Sequence, residues 1–178
     1  MRLAASPSKL LLTVATAAAV FAACSPAPPV RPAAATAPLP TGPRLSFDLE
    51  SIDGARVSSE SLRGRNTVVA FITTYDLPSQ AQANFLRTIA HEHVPRTNVI
   101  AIVLERAESR PLVRAFADTL ALRFPIAMLE SNRLEAVGFR DVSAVPTVIV
   151  LDRETRLAWK KTGIIEAKEI AGVLRGLE

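Results

Sequence analysis

From about residue 45 onward, apolar positions alternate between a strand period and a helix period. Phe47, Leu49 and Ile52 mark a short alternating strand, Asp53-Gly54 its turn, and Val57 the return. Ser58 or Ser59 can cap a short turn that Gly64 closes. Asn66 to Thr73 then carries an unbroken apolar run, as in a central strand buried on both faces. After Asp76, the residues Ala83, Leu86, Ile89, Ala90 and His93 or Val94 recur at helical spacing, and Pro95 follows the helix end. Asn98 to Leu104 reads as a second buried strand. Ser109 and Pro111 open a helix with Leu112, Val113, Phe116, Ala117 and Leu120 as its apolar stripe. Phe124 to Leu129 is a short strand, and Leu134 and Val137 belong to a short helix stopped by Gly138. Thr147 to Leu151 is a third strong strand. Residues 152–156 form a turn, and Leu157 to Thr162 pairs back as a hairpin partner. A last helix from about Glu166 buries Ile170, Val173, Leu174 and Leu177. Strands alternating with helices, then a hairpin and a helix, predict an α/β sandwich around a mixed sheet. The sequence contains no internal repeat.

The N-terminal pattern differs. Arg2 and Lys9 precede the alanine-rich apolar run Leu10 to Ala23. That run is short for a bilayer span and fits the apolar core of an export signal. A buried N-terminal helix is the alternative, disfavoured by the proline-rich stretch that follows at once. Phe21-Ala22-Ala23-Cys24 resembles the lipobox of bacterial lipoproteins, although leucine is usual where Phe21 stands. The resemblance implies that Cys24 is lipidated and becomes the mature N-terminus. With Ser25 next, it also implies an outer-membrane anchor facing the periplasm. Ordinary signal cleavage would instead leave a secreted protein. Residues 25–43 contain Pro26, Pro28, Pro29, Pro32, Pro38, Pro40 and Pro43 among alanines. Such a segment favours polyproline II, a semi-rigid spacer on the order of 60 Å at the usual ~3.1 Å rise. The predicted organisation is a signal peptide at 1–23, the lipobox cysteine and Pro/Ala-rich linker at 24–44, and a folded domain at 45–178.

Composition adds two constraints. Of the formal charge of +4, Arg2 and Lys9 supply two units. The remaining signs are interspersed along the chain, with no basic stripe of the kind that marks nucleic-acid or anionic-lipid binding. Cys24 is the sole cysteine, so no internal disulfide can form and the apolar core must hold the domain unaided.

Three pieces of sequence resemble the thioredoxin-like superfamily, most closely the anchored thiol-disulfide oxidoreductases of the TlpA/ResA type, or redoxins. The first is Ile52-Asp53-Gly54 with Val57 and Ser61-Leu62-Arg63-Gly64, similar to that family's N-terminal hairpin and turn. The second is Val68-Val69-Ala70-Phe71 leading to Thr74-Tyr75, similar to its strand before the active site. The third runs from Phe124-Pro125-Ile126 through Gly138-Phe139 and Val145-Pro146-Thr147 to Leu151-Asp152. The resemblance covers Phe47 to Leu177. It implies a thioredoxin-like sandwich with a central mixed sheet flanked by helices and an N-terminal β-hairpin extension. It also implies a cis proline at Pro146 facing the active-site loop, beside backbone that pairs with an extended peptide.

The loop departs from that family. Tyr75 stands where tryptophan is usual, and Asp76 and Ser79 stand where the two cysteines would be. Disulfide exchange needs a thiolate that attacks sulfur and a second thiol that resolves the mixed disulfide. A carboxylate and a hydroxyl can do neither. The degenerate loop Tyr75, Asp76, Leu77, Pro78 and Ser79 therefore carries no predicted catalytic residue. Asp76 is expected to serve as a helix N-cap, with Pro78 acceptable in the first turn. Thr73 and Asp76 have the spacing of the peroxiredoxin Thr-x-x-Cys site, but without sulfur there is no nucleophile for peroxide.

Other constellations have simpler readings. In His91-Glu92-His93, residues two apart do not share a helix face, so helix-end residues are expected rather than a metal site. Trp159 is expected to pack at the core or sheet edge. Asp48, Glu50 and Asp53 could hold a cation weakly, though a solvated face is the better reading. No metal and no cofactor is predicted. The expected function is a redox-inactive binding or scaffolding module for an unknown protein or extended peptide. Its groove would be built from Thr74, Ala144, Val145, Pro146 and Thr147 beside the loop, with exposed backbone for an added strand. The membrane is met through the lipid anchor only, and no nucleic acid is expected. The alternatives are an oxidoreductase or redoxin of unconventional activity, with Cys24 unlipidated, and a carrier for a small ligand or metal.

Overall fold

A computed structural model describes residues 42–178. The signal segment, Cys24 and most of the linker lie outside the described residues. Seven strands and three α-helices follow one another: β1 (Asp48–Glu50), β2 (Arg56–Ser58), β3 (Asn66–Ile72), α1 (Leu77–His93), β4 (Thr97–Val103), α2 (Arg110–Thr119), β5 (Ile126–Met128), β6 (Thr147–Leu151), β7 (Leu157–Thr162) and α3 (Ala167–Arg175). The main sheet has the order β5-β4-β3-β6-β7. β3, β4 and β5 are parallel, while β6 and β7 are antiparallel to their neighbours. This is the predicted α/β sandwich with a mixed sheet.

β3 lies at the centre, and all seven of its residues are buried. Successive side chains on a strand point to opposite faces, so β3 supplies two cores. Val68, Ala70 and Ile72 pack with Leu86 and Ile89 of α1 and Ile170 of α3. Val69 and Phe71 pack with Phe47, Leu49 and Val57 of the hairpin and with Phe139. Phe139 stands edge-on to Phe71, with ring centroids 4.9 Å apart. The β1–β2 hairpin thus closes the face that the helices leave open. Its turn also reaches the outer strand, since the Ile52 N–H donates to the Ile126 carbonyl at 2.7 Å. Arg114 of α2 donates to the Ile52 carbonyl at 2.7 Å from the other side.

The elements fall close to their predicted bounds, with local differences that have physical reasons. The folded domain begins before Leu45. Gly42 N–H donates to the Leu157 carbonyl, and Leu157 N–H donates to that of Pro43. The end of the segment read as linker is therefore laid against β7. Leu112 and Val94 are about half exposed rather than buried. The face of α2 that meets the core is narrow, carried by Val113 and Ala117 with Phe116 and Leu120 at its margins. Ser109 precedes α2 without a side-chain capping bond. The stretch around Leu134 and Val137 is two 3-10 turns, ended by Gly138 at φ 84°. Ser58 and Ser61 cap one another's backbone N–H groups at 3.1 and 3.2 Å.

One buried polar residue had no signal in the periodicity. Gln82 in α1 is fully buried. Its amide donates to the Ile165 carbonyl at 3.2 Å and accepts from the Ile165 N–H at 2.8 Å. One side chain thereby satisfies both polar groups of a buried loop residue and fastens α1 to the β7–α3 connection. Gln82→Ala is expected to leave both groups unpaired and to cost about 3 kcal/mol. Urea unfolding of the two proteins measures it, and a loss below about 1 kcal/mol would mean that the clamp carries little.

Candidate functional site

The site forms where β3 ends. Phe71 is paired with Thr147 across β3 and β6, so residues 73–79 and residues 143–146 leave the sheet at the same edge. The Val145–Pro146 peptide is cis. A cleft of about 160 Å³ lies between Thr73 and Tyr75 on one wall and Ser143 to Val145 on the other, with Leu104 and Leu134 also lining it.

Asp76 ties the strand to the helix. It adopts extended backbone at the N-cap of α1, and its Oδ1 accepts from the Ser79 N–H at 2.7 Å. Its Oδ2 accepts from the Thr73 hydroxyl. Ser79 completes the lock, because its Oγ accepts from the Thr73 N–H at 3.1 Å and its side chain is fully buried. Pro78 sits in the first turn, where its missing N–H costs no helical bond. Burial pushes the Asp76 carboxyl up, but hydrogen bonds from the Thr73 hydroxyl and from the Ser79 N–H and hydroxyl outweigh it. The net pKa lies below the ordinary carboxylate value. The two positions that would carry thiols in the resembled family are spent here on hydrogen bonds within the junction.

The groove residues divide. Ala144 is exposed and Val145 half-buried. Thr74, Pro146 and Thr147 are buried, so Ala144 and Val145 carry the accessible part of this wall. Thr147 is withdrawn because its hydroxyl bonds to the Ala144 carbonyl at 2.7 Å and to the Thr162 hydroxyl at 2.9 Å. Pro146 gives its carbonyl to the Gly163 N–H at 2.8 Å. Among the described residues, the Val145 N–H and C=O enter no hydrogen bond. The exposed apolar side chains nearby are Tyr75 and Leu77, more than three-quarters exposed, and Ile164, which follows Gly163.

Glu105 was missed by the sequence reading. One of its carboxylate oxygens accepts from both the N–H and the hydroxyl of Thr74, each at 2.7 Å. The signal was its position. A charged residue that ends a buried parallel strand emerges at the same sheet edge as the ends of its neighbours. Gln80 adds a weaker tie, donating to the Thr74 carbonyl at 3.4 Å.

The remaining candidates lie elsewhere. His91 is exposed and His93 half-buried in the last turn of α1. Trp159 packs partly buried against the helix-side core. Asp48, Glu50 and Asp53 each face an arginine: Asp48 pairs with Arg56, Glu50 with Arg110 at 3.7 Å, and Asp53 with Arg114 at 3.9 Å. A larger cleft of about 580 Å³ opens between residues 43–46 and 138–142, and none of residues 73–79 lines it.

No protein-family model matches the chain. The Thioredoxin-like protein YneN of Bacillus subtilis (strain 168) is 27% identical over 125 residues, which span 70% of this chain and 72% of that protein. Among solved structures, a DsbF homologue from Corynebacterium diphtheriae aligns with a TM-score of 0.70 at 20% identity, covering 77% of this chain and 87% of that one. A secreted thiol-disulfide isomerase from Corynebacterium glutamicum aligns at 0.66 and 20% identity, covering 74% and 83%. StoA from Bacillus subtilis aligns at 0.60 and 20% identity, covering 75% and 98%. The fold is thioredoxin-like. At these identities the structural likeness carries the fold and not the chemistry.

Asp76→Ala is expected to lower stability by about 1 kcal/mol at neutral pH. Because the folded-state pKa of Asp76 is depressed, its contribution is full above the unfolded value near pH ~4 and fades as pH falls through the folded one. The gap between wild type and variant should therefore shrink in strong acid. Denaturant unfolding at neutral and at acidic pH measures it. An equal or larger gap in acid would contradict the cap.

Proposed function

We propose that this chain is an exported binding or scaffolding module on a thioredoxin-like fold, without thiol-disulfide exchange of its own. In this reading Cys24 is the lipid-bearing residue, and the domain faces the periplasm from the outer membrane. Its partner is a protein or extended peptide that lies across the cleft between Tyr75 and Val145. One observation carries the reading: Asp76 and Ser79 are locked into the strand-to-helix junction, while the backbone of Val145 across the cleft is unpaired. The first removes redox chemistry from the loop, since residues 25–178 contain no cysteine. The second leaves a donor and an acceptor for strand addition. Tyr75, Leu77 and Ile164 supply apolar area around them. Free backbone donors and acceptors beside exposed aromatic and aliphatic groups can give a peptide-binding surface both affinity and side-chain selectivity.

The second reading is an oxidoreductase that works through an unlipidated Cys24, favoured by the thiol-disulfide activities named for the structural neighbours. Insulin reduction by the purified chain separates the two. Wild type is expected to show no turnover above buffer. Asp76→Cys combined with Ser79→Cys is expected to gain a dithiothreitol-reducible disulfide, because the two positions flank the first turn of α1 as a Cys-x-x-Cys pair does. Clear wild-type turnover, abolished by Cys24→Ser, would replace the first reading with the second. A photocrosslinker at Tyr75 is expected to capture a protein or peptide in cells, and the yield should fall when Val145 is changed to proline. An undiminished yield would remove the cleft from the interaction.

A further inference from the structure

We propose that the sheet edge opposite the cleft is a docking face for an anionic phospholipid surface. The observation is topological. β3, β4 and β5 are parallel and begin at the same edge, so residues far apart in sequence meet there. Asn66 is in register with Thr97, which sets Arg65 and Arg96 side by side, one residue ahead of each strand. Arg65 reaches the Pro95 carbonyl at 3.0 Å. Arg123 precedes β5 and lines a shallow cleft of about 160 Å³ together with Arg65 and Val94. On the other flank Thr67 pairs with Leu151, and the Gly64 N–H donates to the Arg153 carbonyl at 2.8 Å. That contact brings Arg153 to the same edge. Arg156 follows in the turn and forms a bridge with Arg44.

All six side chains of Arg44, Arg65, Arg96, Arg123, Arg153 and Arg156 are exposed. Among the described residues, none of them stands within ion-pair distance of a carboxylate. The acids of the hairpin face all have arginine partners, so the two regions contrast. Nearby, Glu60 is occupied by Arg63 at 3.1 Å. Asp152 is buried and accepts from the Glu154 and Arg156 N–H groups. Glu154 in the same turn, Glu92 and Asp118 near helix ends and Glu178 at the end of the chain are also exposed, and Glu135 and Asp141 line the larger cleft together with Arg44. Val94, half exposed, and the exposed Pro95 and Pro125 lie among the arginines. A cationic rim with small apolar protrusions suits a headgroup layer.

A membrane is favoured over another polyanion by the path of the chain. Residues 42–45 run alongside Leu157 and Thr155, so the polypeptide enters the domain at this same edge. This inference rests on the proposed acyl anchor at Cys24, which the linker joins to the domain through residues 42–45. An acyl anchor and a polybasic patch are together the pair of weak signals that gives stable attachment. The inference is independent of what the cleft binds.

Cosedimentation of the full-length chain with vesicles tests it, using phosphatidylcholine alone and phosphatidylcholine mixed with phosphatidylglycerol. Wild type is expected to partition at least about tenfold more strongly onto the anionic vesicles, with the preference declining as salt rises. An arginine at an anionic surface contributes roughly fivefold. Arg65→Glu, Arg96→Glu and Arg123→Glu combined should therefore lose about tenfold or more of the preference while binding neutral vesicles as wild type does. Arg123→Glu with Arg153→Glu, which spares the Arg65 contact, should lose a smaller share in the same direction. Arg106→Glu with Arg133→Glu, near the cleft end, should leave the preference intact. Melting curves establish that each variant is folded. The proposal is overturned if wild type binds both vesicle types equally, or if the cleft-end variant loses as much as the triple one. Stronger retention on single-stranded DNA or polyglutamate than on anionic vesicles would also overturn it.

Discussion

Everything at the cleft depends on how β3 hands over to α1. A strand buried on both faces cannot shift in register without exposing one core or the other. The positions of Thr73 and Thr74 are therefore fixed by Val68 to Ile72 before any loop contact is made. Asp76 and Ser79 then close the junction, each spending its polar atoms on backbone and side chain within six residues. In a redox-active loop this geometry would stabilise a thiolate at the helix N-terminus. Here the same free N–H of Ser79 is met by a carboxylate that stays ionised because it is so well bonded. The position offers the electrostatics of a helix N-terminus, and Asp76 uses them for a structural bond.

The strong strands could be read from the sequence because burial on both faces leaves a continuous apolar run, here too short for a helix and rich in valine and isoleucine. Val68 to Ile72, Val99 to Val103 and Thr147 to Leu151 are of this kind. So was the cap at Asp76, whose residue type, following proline and downstream helical period all agree. Other features depend on which neighbour a side chain meets. Gln82 looks solvent-facing by type and is buried, because a loop more than eighty positions away presents a bare peptide to it. Leu112 and Val113 are adjacent in a helical stripe, and only the narrowness of the contact decides that one is covered. Thr74 and Thr147 read as groove surface, yet both hydroxyls have partners supplied by other elements. Glu105 could have been anticipated from its place at a strand end.

Charge shows the same limit on a larger scale. Along the chain, arginines and acids alternate without a block of either sign. In the folded domain, three parallel strands starting from one edge gather arginines from separate segments, and the turn after β6 adds two more. Interspersion in sequence therefore says little about the field around an α/β sheet, because the crossover connections return the chain to the same edge each time. The domain acquires two unlike ends: one holds the cleft and its apolar rim, the other a cationic surface at the point of chain entry.

The clamp between Gln82 and Ile165 has a consequence for the cleft. Gln82 lies one turn along from Ser79 on one wall, and Ile165 lies two residues beyond Gly163, which holds the carbonyl of Pro146 on the other. The two walls are thus tied to each other through the buried amide of Gln82 as well as through the sheet. A partner of the kind proposed would meet a cleft whose sides are cross-braced, and its recognition would then rest on fit and dwell time more than on closure.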